Sequence, residues 1–357
     1  MATNDKKVFL YVGRKSKNVK YNSYTNADLQ SVNADEFVLT SANYDDYLDY
    51  PSEMNEYVND VFNLAKQVIQ ATGKFVWLGI PRPPEPKSQI TIAEYTGYAN
   101  QYLNTFVVPI RDKLKALMAS NGYDYYYNYV QGFYMSDEHV RRKTFTYPDA
   151  SGENEDDPNG VDTNTSNLLA HPQIKMYSII SDKLKTSEYG WKKFLWCPYA
   201  GRGKNYDTTF IDIAYIANTT DIFDTVLIQP GVFFHYNPDR DPGSASVLKN
   251  LDVIRNSMNI QEVRTRDAAG NTNNRVVAKR SSTKIGCQME VSPFILHGGT
   301  NGTSQQYQSA FQQTVNALKG NKVTVASDRH FSFYCDDRNS DWPTLIDDYV
   351  NPFFATL

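Results

Sequence analysis

Eight short apolar runs, separated by segments with helical spacing, constrain the fold of this chain more than any other feature. They are Lys7–Val12 (K-V-F-L-Y-V), Glu36–Ser41, Lys74–Ile80, Val130–Met135, Lys193–Cys197, Thr225–Gln229, Ile285–Val291 and Lys322–Ala326. Each is too short for a helix, rich in β-branched and aromatic residues, and bounded by polar, Gly or Pro positions, which predicts buried strands. Between them the apolar residues recur at gaps of three and four. In Pro51–Thr72 they are Met54, Tyr57, Val58, Val61, Leu64, Ala65, Val68 and Ile69, one face of a helix that Gly73 stops. Further helices are predicted over 92–120, 172–185, 207–218, 244–258, 305–318 and 342–354. Strand and helix alternating eight times is the (β/α)8 pattern, so a TIM barrel is expected in preference to an open doubly wound sheet.

A chain of 357 residues, 41% hydrophobic and 21% charged, can form one barrel-sized domain. We expect 1–357 to be that domain, interrupted by two insertions. One is an acidic loop at 144–170, rich in Asn, Gly, Asp and Ser; the other is a hairpin at 263–279 around A-A-G-N-T-N-N. The net charge of -4 is spread without a Lys or Arg stripe, which argues against a nucleic-acid partner. No window is apolar enough to insert in a membrane, and M-A-T-N-D-K-K lacks the apolar core of a secretory signal. An extracellular or cell-surface location is expected if such a signal was removed. Cys197, Cys287 and Cys335 show no C-x-x-C spacing and are expected to be buried free thiols. Neither G-x-G-x-x-G nor a P-loop follows any strand, so no nucleotide cofactor is expected.

Parallel α/β folds place their chemistry at the carboxyl ends of strands. The fourth run, in Y-V-Q-G-F-Y-M-S-D-E-H, leads directly into Asp137 and Glu138, and the seventh, I-G-C-Q-M-E-V, carries Glu290 near its end. In a closed barrel these positions face one another across the mouth. Glycoside cleavage needs two carboxyl groups, one protonated to serve the leaving oxygen and one ionised to attack the anomeric carbon or activate water. A neighbouring carboxylate at Asp137 would raise the proton affinity of Glu138. Asp137 itself, with Arg82, Tyr134, Trp196, Tyr199, Gln229, Phe233, His235, His297 and Asp328, lies at or just after a strand end. They are candidate substrate contacts, the aromatic rings for the apolar faces of sugars and the polar groups for hydroxyls. His139, His235, His297 and His330 would be gathered near the same mouth beside Asp137 and Asp328. No H-x-H or H-E-x-x-H spacing accompanies them, so hydroxyl recognition is expected and no metal.

The chain resembles the superfamily of TIM-barrel glycoside hydrolases with an acid/base Glu after strand four and a nucleophile Glu on strand seven. The segments W-C-P-Y (196–199), I-Q-P-G-V-F-F (228–234) and G-C-Q-M-E-V (286–291) further resemble a family of largely uncharacterised bacterial barrel domains. The resemblance implies Glu138 as acid/base and Glu290 as nucleophile, in a retaining hydrolase of poly- or oligosaccharides that needs no cofactor. Two positions depart from the superfamily pattern: Asp137 stands where it has Asn, and V-T-V-A-S-D lacks its strand-eight Trp. A barrel that binds carbohydrate without cleaving it is the alternative, and a metal-dependent hydrolase is third.

Overall fold

The computed structural model describes residues 5–41, 46–84, 91–138, 171–200, 206–230, 245–264, 278–299, 302–319, 330–335 and 338–357. Its strands are β1 (Asp5–Tyr11), β2 (Arg14–Ser16), β3 (Val19–Lys20), β4 (Glu36–Thr40), β5 (Phe75–Ile80), β6 (Val130–Met135), β7 (Lys193–Trp196), β8 (Thr225–Ile228), β9 (Lys284–Val291) and β10 (His330–Cys335). β2 and β3 pair as a small antiparallel hairpin, and the other eight close a barrel in the order β1-β10-β9-β8-β7-β6-β5-β4. Every barrel pairing is parallel. The expected TIM barrel is therefore the fold, with β6 and β9 as its fourth and seventh strands.

The strand-to-strand crossovers run through helices, as parallel pairing requires. The helix Pro51–Thr72 begins with proline in its first turn and ends at Gly73, whose φ of 67° lets its N–H reach Ile69 O at 2.9 Å. The predicted helix over 92–120 is shorter, ending at Lys115. It passes through a wide turn at Leu103–Val107 just before Pro109, which has no N–H to give to the preceding turn.

Seven of the predicted strands coincide with barrel strands to within two residues. The eighth does not. Lys322–Ala326 lies outside the described residues, and the place between β9 and β1 is taken by His330–Cys335. His330 consequently starts a strand instead of following one. It sits at the amino-terminal end of the barrel, opposite the mouth, with Nδ1 3.0 Å from Asp5 Oδ2. The centres of both predicted insertions, at 144–170 and 265–277, lie outside the described residues.

Side chains alternate across the barrel wall. Val8, Leu39, Leu78, Phe133, Trp196 and Met289 belong to a large cluster packed against the surrounding helices. Phe9, Val38, Trp77, Tyr134, Leu195, Cys197 and Leu227 have the opposite parity and form a separate cluster filling the lumen. Two glycines on the carboxylate-bearing strands permit this filling. A Cβ on Gly132 would lie 2.1 Å from Lys193 O, and one on Gly286 2.2 Å from His330 O.

The lumen is sealed at its amino-terminal end by charge. Lys7 is wholly buried, ion-paired with Asp5 and, at 2.8 Å, with Glu36. Trp77 Nε1 donates to Glu36 Oε2 at 2.6 Å. Burial alone would raise the Asp5 carboxyl, but the hydrogen bond to His330 and the charge of Lys7 hold it well below the usual carboxylate range. Burial would lower the Lys7 ammonium, and the charges of Glu36 and Asp5 raise it instead. Cys197, Cys287 and Cys335 are buried, and none is in a disulfide. No helix among the described residues is long and apolar enough to cross a membrane.

Candidate active site

The alternation that builds the lumen decides where each carboxylate points. Glu290 shares the parity of Gly286 and Gln288 on β9, opposite to Cys287 and Met289 in the outer cluster, and so faces inward near the strand's carboxyl end. It is 4% exposed and pairs in register with Tyr334 of β10. Beyond β6 the chain stays extended and tied to its neighbours: Ser136 N donates to Ile80 O at 3.2 Å and Tyr199 N to Glu138 O at 3.0 Å. Glu138 therefore keeps the inward parity of Tyr134 and stands over the lumen, half-buried.

Asp137, one residue earlier, has the outward parity of Met135. Its Oδ2 accepts from Gln173 Nε2 at 2.6 Å, on the helix Pro172–Leu184, and the same amide donates to Tyr177 OH at 2.7 Å. The Asp137 carbonyl accepts from Trp196 Nε1 at 2.8 Å. Asp137 is 1% exposed, so its carboxylate braces the outer layer behind Glu138. Trp196, expected against substrate, is fully buried in that outer layer and stacked on Phe223 at 5.2 Å. The physical reason is again parity: Trp196 and Asp137 fall on the helix-facing side of their strands.

Burial is the main cause pushing the Glu138 carboxyl up to about 7. A side-chain hydrogen bond from Gln229 opposes it, the charge of Asp137 adds to it, and the charge of Arg82, half-buried after β5, works against it. Tyr134 lies below in the lumen, edge-on to Phe9 at 5.1 Å. Burial first, then the neighbouring Cys197 and Glu138, raise its phenol well above the ordinary value, so it stays a neutral hydroxyl. Gln229 is 5% exposed, and its Nε2 donates to Cys197 O at 2.8 Å. Tyr199 is half-buried and bridges to Gln229 through the backbone.

The structure thus brings Glu138, Gln229, Arg82, Tyr134 and Tyr199 together at the end of β6, with Glu290 on the same lumen. His297, at the end of the short helix Phe294–His297 that follows β9, is largely exposed and pairs with Asp341 at 3.0 Å. Phe233, His235 and Asp328 lie outside the described residues. Among those residues no three His, Cys, Asp or Glu side chains gather into a metal-binding group. A groove of about 580 Å³ between the helix Ser304–Lys319 and the carboxyl-terminal helices lies outside the barrel wall and touches neither glutamate.

One feature of the mouth has no counterpart in the sequence reading. Tyr11, at the end of β1, stacks on Tyr21 at 4.8 Å and meets Tyr334 edge-on at 4.9 Å. Because Tyr334 is the register partner of Glu290, this tyrosine cluster sits directly beside that carboxylate. The three residues are scattered over more than three hundred positions. The signal available was the inward parity of Tyr11 with Phe9.

No family model matches the sequence, and no curated protein matches it. Solved structures do match along nearly the whole chain. An endo-β-1,4-mannanase from Cellulomonas fimi aligns with a TM-score of 0.46 at 11% identity, over 99% of this chain and 70% of that one. A chitinase from Ipomoea carnea aligns with a TM-score of 0.43 at 11% identity, over 96% and 99%. Two fungal β-1,4-galactanases are represented by a match with a TM-score of 0.41 at 11% identity, over 93% and 89%.

Proposed function

We propose that the chain is a glycoside hydrolase that cleaves a poly- or oligosaccharide with Glu138 as acid/base and Glu290 as nucleophile. The observation that carries this reading is the pair of inward-facing carboxyls at the carboxyl ends of β6 and β9, one of them held up to about 7. A carboxyl with that value is still largely protonated in mildly acidic water, as a general acid must be.

In the first step Glu138 gives its proton to the glycosidic oxygen while a Glu290 oxygen attacks the anomeric carbon. The bond to the leaving oxygen breaks, the aglycone departs as an alcohol, and the sugar is held as an ester on Glu290. In the second step Glu138, now a carboxylate, takes a proton from water as that water's oxygen attacks the same carbon. Glu290 is released and Glu138 is reprotonated. Asp137 takes no proton in this scheme, because its carboxylate is occupied by Gln173 on the other side of the wall. Arg82 supports the ionised form of Glu138 between the two steps. Tyr334, partly exposed beside Glu290, offers an apolar face with a hydroxyl edge, which suits a neutral pyranose. An extracellular or cell-surface site of action fits a polymeric substrate.

The test is the stereochemistry of the first-formed product, followed by proton NMR on a panel of neutral polysaccharides. Retention at the anomeric carbon, lost in both Glu138→Gln and Glu290→Gln, is the expected result. Inversion would replace the nucleophile role of Glu290 by that of a base. Binding of a polysaccharide by wild type with no release of sugar would move the protein to the class of non-catalytic carbohydrate-binding barrels.

A further inference from the structure

The strands β6, β7 and β8 continue past their last ladder residues as one tied unit. Tyr199 N donates to Glu138 O at 3.0 Å, and Tyr199 forms a parallel bridge with Gln229. Gln229 N donates to Pro198 O at 2.9 Å, and Gln229 O accepts from Ala200 N at 3.1 Å. The backbone of Gln229 is thus held at both its amide and its carbonyl, by the segment that also holds the backbone of Glu138. Its side chain is equally fixed, since Nε2 donates to Cys197 O at 2.8 Å in a site only 5% exposed.

A primary amide carries two N–H donors and one carbonyl acceptor. With one N–H committed to Cys197, the carboxamide is held at the mouth beside the segment that carries Glu138, and its other N–H is the donor it can offer to that carboxyl. We propose that Gln229 is a positioning residue, which holds the Glu138 carboxyl through this three-strand latch and donates to it when it is ionised, rather than a ligand for a sugar hydroxyl. The catalytic consequence rests on the glycosidase reading; the latch itself does not. Glu138 must lose and regain a proton in each turnover, and burial alone favours the neutral form. A fixed N–H donor favours the ionised form and brings the two close to balance.

The experiment compares two pairs of proteins, wild type with Glu138→Gln, and Gln229→Met with the double variant, by urea unfolding from acid to alkaline pH. Within each pair, the pH at which the stability gap stops widening reports the ionisation of Glu138 in the folded protein. Loss of a hydrogen bond to a charged group should move that pH upward by about one to two units in the Met background. An unmoved value overturns the proposal. Should Gln229→Met not fold, Gln229→Asn, one methylene too short to span Cys197 O and Glu138, is expected to move it in the same direction. On a hydrolysed polysaccharide, the alkaline limb of kcat/KM should shift with it. A raised KM with the limb unmoved would instead make Gln229 a substrate ligand and overturn the proposal. A shifted unfolding profile in a protein that hydrolyses no glycoside would support the latch and overturn the glycosidase reading.

Discussion

Replacing Glu138 by Gln should stabilise the folded protein, and by an amount that depends on pH. The carboxyl is raised from 4.5 in the free side chain to about 7 in the fold. A group raised in this way opposes folding only when ionised. The penalty is absent below about pH 4.5, grows as pH rises toward 7, and is complete above it. Its full size is the difference of the two values times about 1.4 kcal/mol, or about 3 kcal/mol. Gln is close in shape and can still accept the Gln229 hydrogen bond, so the variant removes the charge and little else. At about pH 8 it should be more stable than wild type by about 3 kcal/mol, and at about pH 4 nearly equal. For a domain of this length that is a rise in Tm of about 4 °C at the higher pH. Urea unfolding at several pH values checks the sign and the shape together. A gap that stays constant with pH, or a wild type more stable at pH 8, would refute the argument that burial raises the Glu138 carboxyl.

Other perturbations test other parts of the account. Glu138→Gln should also lower kcat by about 10²- to 10⁴-fold, the usual contribution of a general acid, and wild-type kcat/KM should fall above about pH 7 as Glu138 ionises; a pH–rate profile reads both. Lys7→Met leaves the partly buried Asp5 and Glu36 carboxylates without their cation and should cost about 3 kcal/mol in chemical unfolding. Gly132→Ala and Gly286→Ala force a methyl into a neighbouring strand's carbonyl and should each cost about 1–3 kcal/mol or more, seen as a lowered Tm. Gln173→Leu removes a donor from the buried Asp137 carboxylate and should destabilise by about 1–3 kcal/mol, with little change in the pH–rate profile.

The barrel was legible because parallel strands buried on both faces read as continuous apolar runs, and the crossover helices read as amphipathic ones. The eighth strand was not, for the same reason. Lys322–Ala326 is a β-branched run, whereas His330–Cys335 hides its strand character in alternation, with Phe331 and Phe333 facing the helices and Ser332 facing the lumen. Misplacing it carried His330 to the wrong end of the barrel. At the site, the positions of Glu138 and Glu290 at strand ends followed from the sequence pattern. The separate surroundings of Asp137 and Glu138 were implicit in the two-residue period, but the partner that occupies Asp137 is a glutamine 36 residues away on a helix. The grouping of Tyr11, Tyr21 and Tyr334 needs the closure of β10 onto β1 and could not be read locally.

The central claim is tested most directly by the release of reducing sugar from a panel of neutral polysaccharides, measured for wild type and Glu290→Gln side by side. The account predicts hydrolysis of at least one polymer by wild type and its loss in the variant. A wild type inactive on every polymer, or a variant as fast as wild type, would contradict it.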